Sequence, residues 1–320
     1  MANSDLIVHS SRMAQASQCS GLPVREDLLF SNKNGQDKAS LHKSAEKTLA
    51  RLVDPLKQLL QPGETIFYCC NAQSPLSGLE QAFTGWWSQV MTRVVLVITN
   101  RRMFQFSVTG NGTWKRSLSV VSWGDVDKVK TSRFIGAHFV VHYKNGTKTD
   151  YWGVKWGDAP TLQAICDKLV PASTTEATAA QAPVSLCPDC WGALTPRVYQ
   201  CAKCGLVFKN ERSLVKMGVF IPGGAYFYTG FAAPGVLTAF GELIVLFEIL
   251  VLAVAAYSAR GKPEFPGYIG AIAIFAFLYG FETLVTIMHN QRVIRQFVPT
   301  GKKQTPVPVA SSSATAGRGF

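Results

Sequence analysis

The sequence lacks the features that would most directly indicate a function. It contains no nucleophile elbow, phosphate-binding loop, HExxH pattern or dinucleotide fingerprint, so no motif indicates an enzyme. Its N-terminus has no apolar signal-peptide core, and no internal repeat is apparent. The formal net charge of +12 is spread along the chain without a long run of like charges. This distribution argues against nucleic acid as a partner and favours a position beside anionic lipid head groups.

A disulfide framework is also missing. Of eight cysteines, four are scattered along the chain and four are clustered. Cys69 and Cys70 are sequence neighbours and would point to opposite faces of a strand. The pattern indicates a reducing compartment for the soluble part of the protein.

The clustered cysteines form two C-x2-C pairs with ten residues between them. Zinc prefers four soft ligands in a tetrahedron, and each C-x2-C turn directs two thiolates at one point. The pairs therefore predict one structural Zn²⁺ ion with no open coordination position, held by Cys187, Cys190, Cys201 and Cys204. A redox role is the weaker alternative, because thiol exchange does not need two matched pairs.

Residues 187–208 resemble a small zinc ribbon, a module that can also bind nucleic acid. Between the first and last cysteine there are only two basic residues, Arg197 and Lys203, against Asp189. Trp191 and Tyr199 could stack on a base, but covering the metal is the simpler role for them. No nucleic-acid partner is expected.

Two long apolar segments, Phe231–Tyr257 and Pro266–Met288, lie near the C-terminus. A bilayer core is roughly 30 Å thick and requires ~20 mostly apolar residues in a helix. The segments therefore predict a transmembrane helical hairpin, with spans at about 233–257 and 267–288, in a membrane domain over 213–290. IPGGAYFYTG at Ile221–Gly230 resembles an element of small two-helix membrane domains that often follow a zinc ribbon.

A short helix is expected over Ser213–Phe220, followed by a bend because Pro222, Gly223 and Gly224 would break a helix. Whether residues 217–230 lie at the interface or re-enter the membrane is left open by the sequence.

Three carboxylates, Glu242, Glu248 and Glu282, lie within the predicted spans. Intramembrane carboxylates cost several kcal/mol and are functional candidates for that reason. They could serve a proton or ion path. The alternative is that they sit near helix ends, pair across the hairpin or an oligomer, or stay protonated.

The basic residues near the span ends predict the orientation. Eight flank the two outer ends, while the connecting loop offers only Arg260 and Lys262. The eight are Lys203, Lys209, Arg212, Lys216, Arg292, Arg295, Lys302 and Lys303. Because positive charge favours the cytoplasmic side, we expect a multi-pass protein of the cytoplasmic membrane. Its N-terminus and C-terminus would lie in the cytoplasm and Ser258–Glu264 outside.

The segments outside the modules are polar or weakly patterned. Residues 1–38 and 299–320 are expected to be disordered, and residues 171–186 read as a linker rich in Ala, Thr and Pro. Residues 39–60 predict an amphipathic helix, interrupted at Asp54-Pro55, where Asp54 would cap a second short helix. It could lie on the membrane surface or pack on the domain that follows.

Residues 61–170 read as one β-rich domain closed by a helix. Asn145-Gly146 is a strong hairpin signal, and the closing helix starts near Asp158 with Leu162, Ile165, Cys166 and Leu169 on its buried face. Seven strands are predicted. They are Glu64–Cys70, Val94–Thr99, Arg102–Val108, Ser117–Trp123, Val126–Ser132, Ala137–Tyr143 and Lys148–Val154. This order predicts a curled sheet or barrel plugged by the helix.

Three stretches of this domain, Leu60–Tyr68, Val94–Phe106 and Ser119–Val129, resemble the bacterial pleckstrin-homology-like (PH-like) and GRAM-like domains. The chain departs from their compact pattern at Asn71–Thr92, an insert with Leu79, Phe83, Trp86 and Trp87. The resemblance implies a PH-like β-barrel with a C-terminal helix that binds lipid head groups or peptides without catalysis. Candidate contacts for an anionic head group are Arg101, Arg102, Lys115, Arg116, Lys128 and Lys130, although a solvated basic face is the simpler interpretation.

The sequence therefore predicts a multidomain α+β membrane protein that is not an enzyme. We expect an adaptor or sensor with a cytosolic PH-like module, a structural zinc ribbon, membrane lipid as a partner and a protein partner that the sequence does not identify. The alternative is an accessory subunit of a transport or envelope complex that uses the intramembrane glutamates. An enzyme with an unrecognised site is the third hypothesis.

Overall fold

The computed structural model describes residues 17–30, 39–74, 91–132, 137–172 and 182–303. They form an antiparallel sheet domain, a small ribbon that contains four cysteines, and two long apolar helices. The aromatic residues of the insert, Phe83, Trp86 and Trp87, lie outside the described residues.

The main sheet has ten strands, in the order β10-β6-β5-β4-β3-β9-β8-β7, with the β1–β2 hairpin joined to β3 through β2. Their bounds are β1 Ser17–Cys19, β2 Leu22–Val24, β3 Ile66–Gln73, β4 Arg93–Thr99, β5 Arg102–Val108, β6 Trp114–Ser122, β7 Val126–Ser132, β8 Ala137–Tyr143, β9 Lys148–Val154 and β10 Val184–Leu186. The seven predicted strands are all present, with ends shifted by a few residues. Asn145-Gly146 forms the predicted β8–β9 turn, with Gly146 at φ 81°.

The hydrogen-bonded path of described strands is open, with β7 and β10 at its ends, so the predicted barrel is not closed by backbone pairing. A 3-10 turn at Trp123–Asp125 joins β6 to β7. Helix α4 (Asp158–Ala172) packs on β7 and on this turn. The helix therefore covers the β7 side of this opening.

One face of the sheet curls around a core that α4 completes. Leu162, Ile165 and Cys166 of α4 are buried there, as predicted, beside Trp123 and Tyr151. Because alternate residues of a strand point to opposite faces, the other face of β4 and β5 needs a separate cover.

That cover comes from the N-terminal helices α2 (Ala39–Ala50) and α3 (Val53–Leu59). Leu49, Leu52 and Leu56 pack against Phe104 and Phe106 on the outer face of the sheet. Residues 39–60 are therefore a packing element of the domain. α3 begins at Val53, so Asp54 lies inside its first turn and does not cap it.

The expectation of disorder across residues 1–38 is wrong for residues 17–30. Leu22 and Val24 of β2 are fully buried, and α1 (Glu26–Leu29) follows directly. β9 pairs with β3 only at Gln73, which leaves the start of β3 free to pair with Val24. Two buried residues in a three-residue strand give too short a pattern to recognise in the sequence.

Four helices make up the C-terminal part: α5 (Glu211–Phe220), α6 (Gly224–Thr229), α7 (Ala232–Ser258) and α8 (Phe265–Arg295). α5 and the bend after it match the prediction. At Gly223, which has φ +66°, an added Cβ would collide with the carbonyl oxygen of Gly235. Glycine therefore allows α6 to lie directly against α7.

Helices α7 and α8 are long and apolar enough to cross a membrane, with mean hydropathies of 2.3 and 1.9 in their most apolar windows. Only 11% and 17% of those windows is buried, which is unlike the core helix of a soluble protein. α8 runs seven residues past the predicted span end at 288. Val293 and Ile294 in this extension are buried, and Ile294 packs against Leu214 of α5.

Two segments expected to lack structure take part in pairing. β10, in the predicted linker 171–186, pairs with β6. β12 (Pro299–Lys303), in the predicted tail 299–320, pairs with β11 (Leu206–Phe208) of the ribbon. Both gain order from a partner strand that is distant in sequence.

Candidate metal centre and the neighbouring charged residues

The four clustered cysteines converge on one point. The sulfur atoms of Cys187, Cys190, Cys201 and Cys204 all lie within 4.8 Å of one another. The Cys187–Cys204 and Cys190–Cys201 pairs are each 3.5 Å apart. A tetrahedral zinc ion with Zn–S bonds of about 2.3 Å places its sulfur ligands about 3.8 Å apart. The four thiols therefore fit a zinc ion.

Two turns of the same design hold these sulfurs. The residue after each C-x2-C pair, Trp191 and Gly205, has a left-handed φ of 56° and 72°. In each turn its backbone N–H donates to the carbonyl of the pair's first cysteine, Cys187 or Cys201, at 2.9 Å. Backbone N–H groups also donate to the sulfur atoms of both first cysteines. Such bonds stabilise thiolates, the form that binds metal.

Cys69, Cys70 and Cys166 of the sheet domain lie outside this cluster. Burial raises the pKa of Cys69 to about 12, and it raises the pKa of Cys70 and Cys166 well above the usual value. Thiols that stay protonated are poor nucleophiles and poor metal ligands. Within the described residues, the four ribbon cysteines are the ones that lie close enough together to share a metal ion.

The ribbon is joined to the sheet domain by side chains as well as by β10. The indole of Trp191 stacks on that of Trp114 with ring centroids 6.3 Å apart, so Trp191 packs on the sheet, in addition to bordering the metal site. Arg116, one of the predicted lipid contacts, forms an ion pair with Asp189 between the two cysteines of the first pair. Tyr199 packs on Phe297, which follows α8.

The six basic residues predicted to contact lipid occupy several separate locations. Arg102 pairs with the buried Glu64, and Arg101 donates to Gln61 and to the carbonyl of Pro62. Lys128 and Lys130 are exposed on β7 at the far end of the strand order. Arg116, paired with Asp189, lies at a third place, beside the ribbon. These five residues therefore do not form one basic patch.

Lys115 faces the apolar helices. Its ammonium group donates to the carbonyl of Met91 at 2.8 Å and lies 5.0 Å from the ring centroid of Phe231, the residue before α7. Burial lowers the pKa of Lys115 to about 8. It is a contact between the sheet domain and the helical hairpin.

Of the three glutamates in the apolar helices, the structure brings two together. Glu242 is buried and accepts a hydrogen bond from the backbone N–H of Gly223 at 2.7 Å. The Glu282 carboxyl lies near that of Glu242 and accepts from Thr286 at 3.5 Å. Glu248 is exposed on α7 and takes no part in this cluster.

A second group of basic residues was not singled out from the sequence. Lys47, Arg51, Arg93 and Lys155 line one cavity of about 650 Å³. Lys47 lies on α2 and Arg51 directly follows it, Arg93 begins β4, and Lys155 directly follows β9. The spacing of Lys47 and Arg51 indicates one helix face, but nothing in the sequence connects that face with the other two residues.

Comparisons with known proteins add little to this geometry. No protein-family model matches the chain, and no curated protein matches it. PH-type domains are among weakly similar solved structures. The Vps36 N-terminal PH domain is 14% identical, with 35% of this chain and 83% of that chain covered and a TM-score of 0.26.

The hSac2 domain from human phosphoinositide phosphatase Sac2 is 14% identical, with 46% and 96% covered and a TM-score of 0.27. The C-terminal domain of an unknown protein from Leishmania infantum is 11% identical, with 38% and 94% covered and a TM-score of 0.26. At these TM-scores the likeness carries no argument about function.

Proposed function

We propose that this chain is a membrane-anchored adaptor or sensor without catalytic activity. Its PH-like sheet domain binds a lipid head group or a peptide at the cytoplasmic surface, and the zinc ribbon is structural. The observation that carries the proposal is the attachment of the sheet domain to the ends of two helices long enough to cross a membrane.

That attachment involves both helices of the hairpin. Ser107 and Ser117 of the sheet donate hydrogen bonds to Gln296, just after α8. Met91 contacts the imidazole of His289 at 3.2 Å, and Lys115 lies over Phe231 before α7. The start of α7 and the end of α8 are therefore on the sheet side. The α7–α8 turn lies a helix length away, about 40 Å for 27 residues.

The distribution of charge supports the same orientation, since basic residues flank the ends that face the sheet domain. The reduced thiols required by the ribbon also favour the cytoplasm. A domain held in this way is restricted to ligands at or near the membrane surface.

Cysteine labelling in intact expressing cells tests the orientation. With the partly exposed Cys19 replaced by serine, a cysteine at Ser258 is expected to react with an impermeant thiol reagent. A cysteine at Ser312 is expected to react only after the cells are permeabilised. The opposite pattern would reverse the topology, and the proposed cytosolic adaptor would be rejected.

The alternative function is an accessory subunit of a transport or envelope complex. It is favoured by the proximity of the Glu242 and Glu282 carboxyl groups in the apolar helices.

An adaptor is expected to tolerate Glu242→Gln, Glu248→Gln and Glu282→Gln, because glutamine at position 242 still offers an oxygen to the N–H of Gly223. Glu242→Ala serves as the contrast, since an unpaired buried N–H costs about 1–3 kcal/mol. The measurements are thermal stability and the lipids and proteins recovered by purification in mild detergent. Loss of partners in a stably folded Gln variant would favour the alternative.

A further inference from the structure

We propose that the cavity lined by Lys47, Arg51, Arg93 and Lys155 binds a compact phosphorylated anion. This anion is the phosphate head group of a membrane lipid or a free phosphorylated small molecule. The proposal deepens the proposed adaptor function, because it names the ligand class and places the binding site on the outer face of the sheet domain.

The cavity has the size and the charge for such a ligand. Its volume of about 650 Å³ lies within the range of about 300–1,000 Å³ for small-molecule sites. Four basic side chains line it, and no acidic side chain does so in the part of the chain that the structure describes. Asn71 and Gln73 of β3 add amide groups. Ala72 and Val95 are the only larger apolar side chains among the described lining residues, whereas a polyanion would find four basic partners.

The arginines retain unused donors although they already make contacts. Arg93 donates to the carbonyl of Gly110 at 2.6 Å, and Arg51 donates to the carbonyl of Asn111. A guanidinium has five N–H donors, so most remain available for phosphate oxygens, which arginine can bind through two parallel hydrogen bonds. The two bonds also hold the arginines against the β5–β6 hairpin, which lowers the entropy lost on binding.

The β5–β6 hairpin leaves room for the Arg51 guanidinium. Gly112 has φ +79°, and an added Cβ would collide with the Arg51 guanidinium. A larger residue would therefore displace Arg51 from the wall of the cavity. The site also depends on α2, an element outside the segment that resembles PH-like domains.

The position of the cavity favours a ligand near the membrane. Arg93 is two residues from Met91, which contacts His289 of α8. The hairpin on the opposite wall lies between Ser107 and Ser117, which bond to Gln296. The cavity thus lies at the end of the sheet that is attached to the helical hairpin.

The test uses the full chain in nanodiscs of phosphatidylcholine, with inorganic pyrophosphate as the probe in titration calorimetry. Lys47 and Lys155 are exposed, so Lys47→Gln/Lys155→Gln should leave the fold intact, which thermal melting checks. Because contacts to charged groups are lost, this variant is expected to bind pyrophosphate about tenfold more weakly or worse. Lys144→Gln/Lys148→Gln removes the same charge from the β8–β9 hairpin, at the opposite end of β9 from Lys155, and should bind like the wild type.

Nanodiscs that also contain phosphatidic acid distinguish the two sources of the anion. Weaker pyrophosphate binding in these discs supports a lipid head group in the cavity, and unchanged binding supports a free phosphorylated ligand. The proposal is overturned if the wild type does not bind pyrophosphate at low salt, if Lys47→Gln/Lys155→Gln binds like the wild type, or if both double variants weaken equally. Cysteine labelling tests the membrane anchoring separately, so either idea can fail without the other.

Discussion

The variant Cys201→Ser/Cys204→Ser is expected to contain no tightly bound zinc, whereas the wild type is expected to contain about one ion per chain, held by four thiolates. Metal binding contributes on the order of 10 kcal/mol to the folding of small zinc modules. The ribbon core is small, with Phe208 and Phe297 as its main aromatic residues. It is therefore expected to unfold without the metal.

Unfolding of the ribbon should also affect its neighbours. Trp191 would leave Trp114, Asp189 would release Arg116, and β12 would lose its partner strand. We expect faster proteolysis within residues 187–208 and after α8, together with a lower melting temperature. Elemental analysis by mass spectrometry and timed proteolysis measure these two effects.

The matched control for the metal is Cys19→Ser/Cys69→Ser, which removes two thiols that lie outside the cluster. This control should keep its zinc. A Cys201→Ser/Cys204→Ser protein that still held one tight zinc ion would disprove the ligand assignment. A metal-free protein with an intact, protease-resistant ribbon would show that the metal contributes little to folding.

The second large effect is expected from Arg102→Ala. Glu64 is buried and accepts hydrogen bonds from Arg102 at 3.0 and 2.9 Å and from Thr99 at 2.7 Å. The Arg102 guanidinium also donates to the carbonyl of Leu59 at 2.7 Å. Removing one partner of a buried ion pair costs about 3–5 kcal/mol, because the other charge stays buried. Thermal melting of the full chain in detergent should show this loss.

Arg101→Ala is the matched control. Arg101 is exposed and makes one hydrogen bond to a side chain and one to a backbone carbonyl. Its removal should change the free energy of unfolding by less than about 1 kcal/mol. Equal losses from the two variants would contradict the structural role of Arg102.

The pH dependence of this effect has a definite sign. Burial raises the pKa of Glu64, but the hydrogen bonds from Arg102, Gln61 and Thr99 outweigh it and hold the pKa below the usual 4.5. The pair therefore stabilises the folded state above pH 4.5, and this contribution is lost as the pH falls through the lowered pKa. The difference between the wild type and Arg102→Ala should shrink in acid.

The sequence was sufficient where local spacing determines the chemistry. Two thiols in each C-x2-C turn converge because the turn is short, so the four cysteines could be assigned to one metal without knowledge of the fold. The apolar segments could be identified from the ratio of helix rise to bilayer thickness. The seven strands of residues 61–170 and the buried face of α4 followed from their own periodicity.

Tertiary structure alone decided which basic residues serve the fold and which line a cavity. Arg101 and Arg102 are neighbours in sequence, yet only Arg102 meets a buried carboxylate, because Arg102 begins β5 whereas Arg101 lies in the turn before it. Lys47 and Lys155 share a cavity although 108 positions separate their residue numbers. β2 and β12 are ordered by partner strands distant in the chain. Such contacts depend on topology, which hydrophobic periodicity and residue spacing do not encode locally.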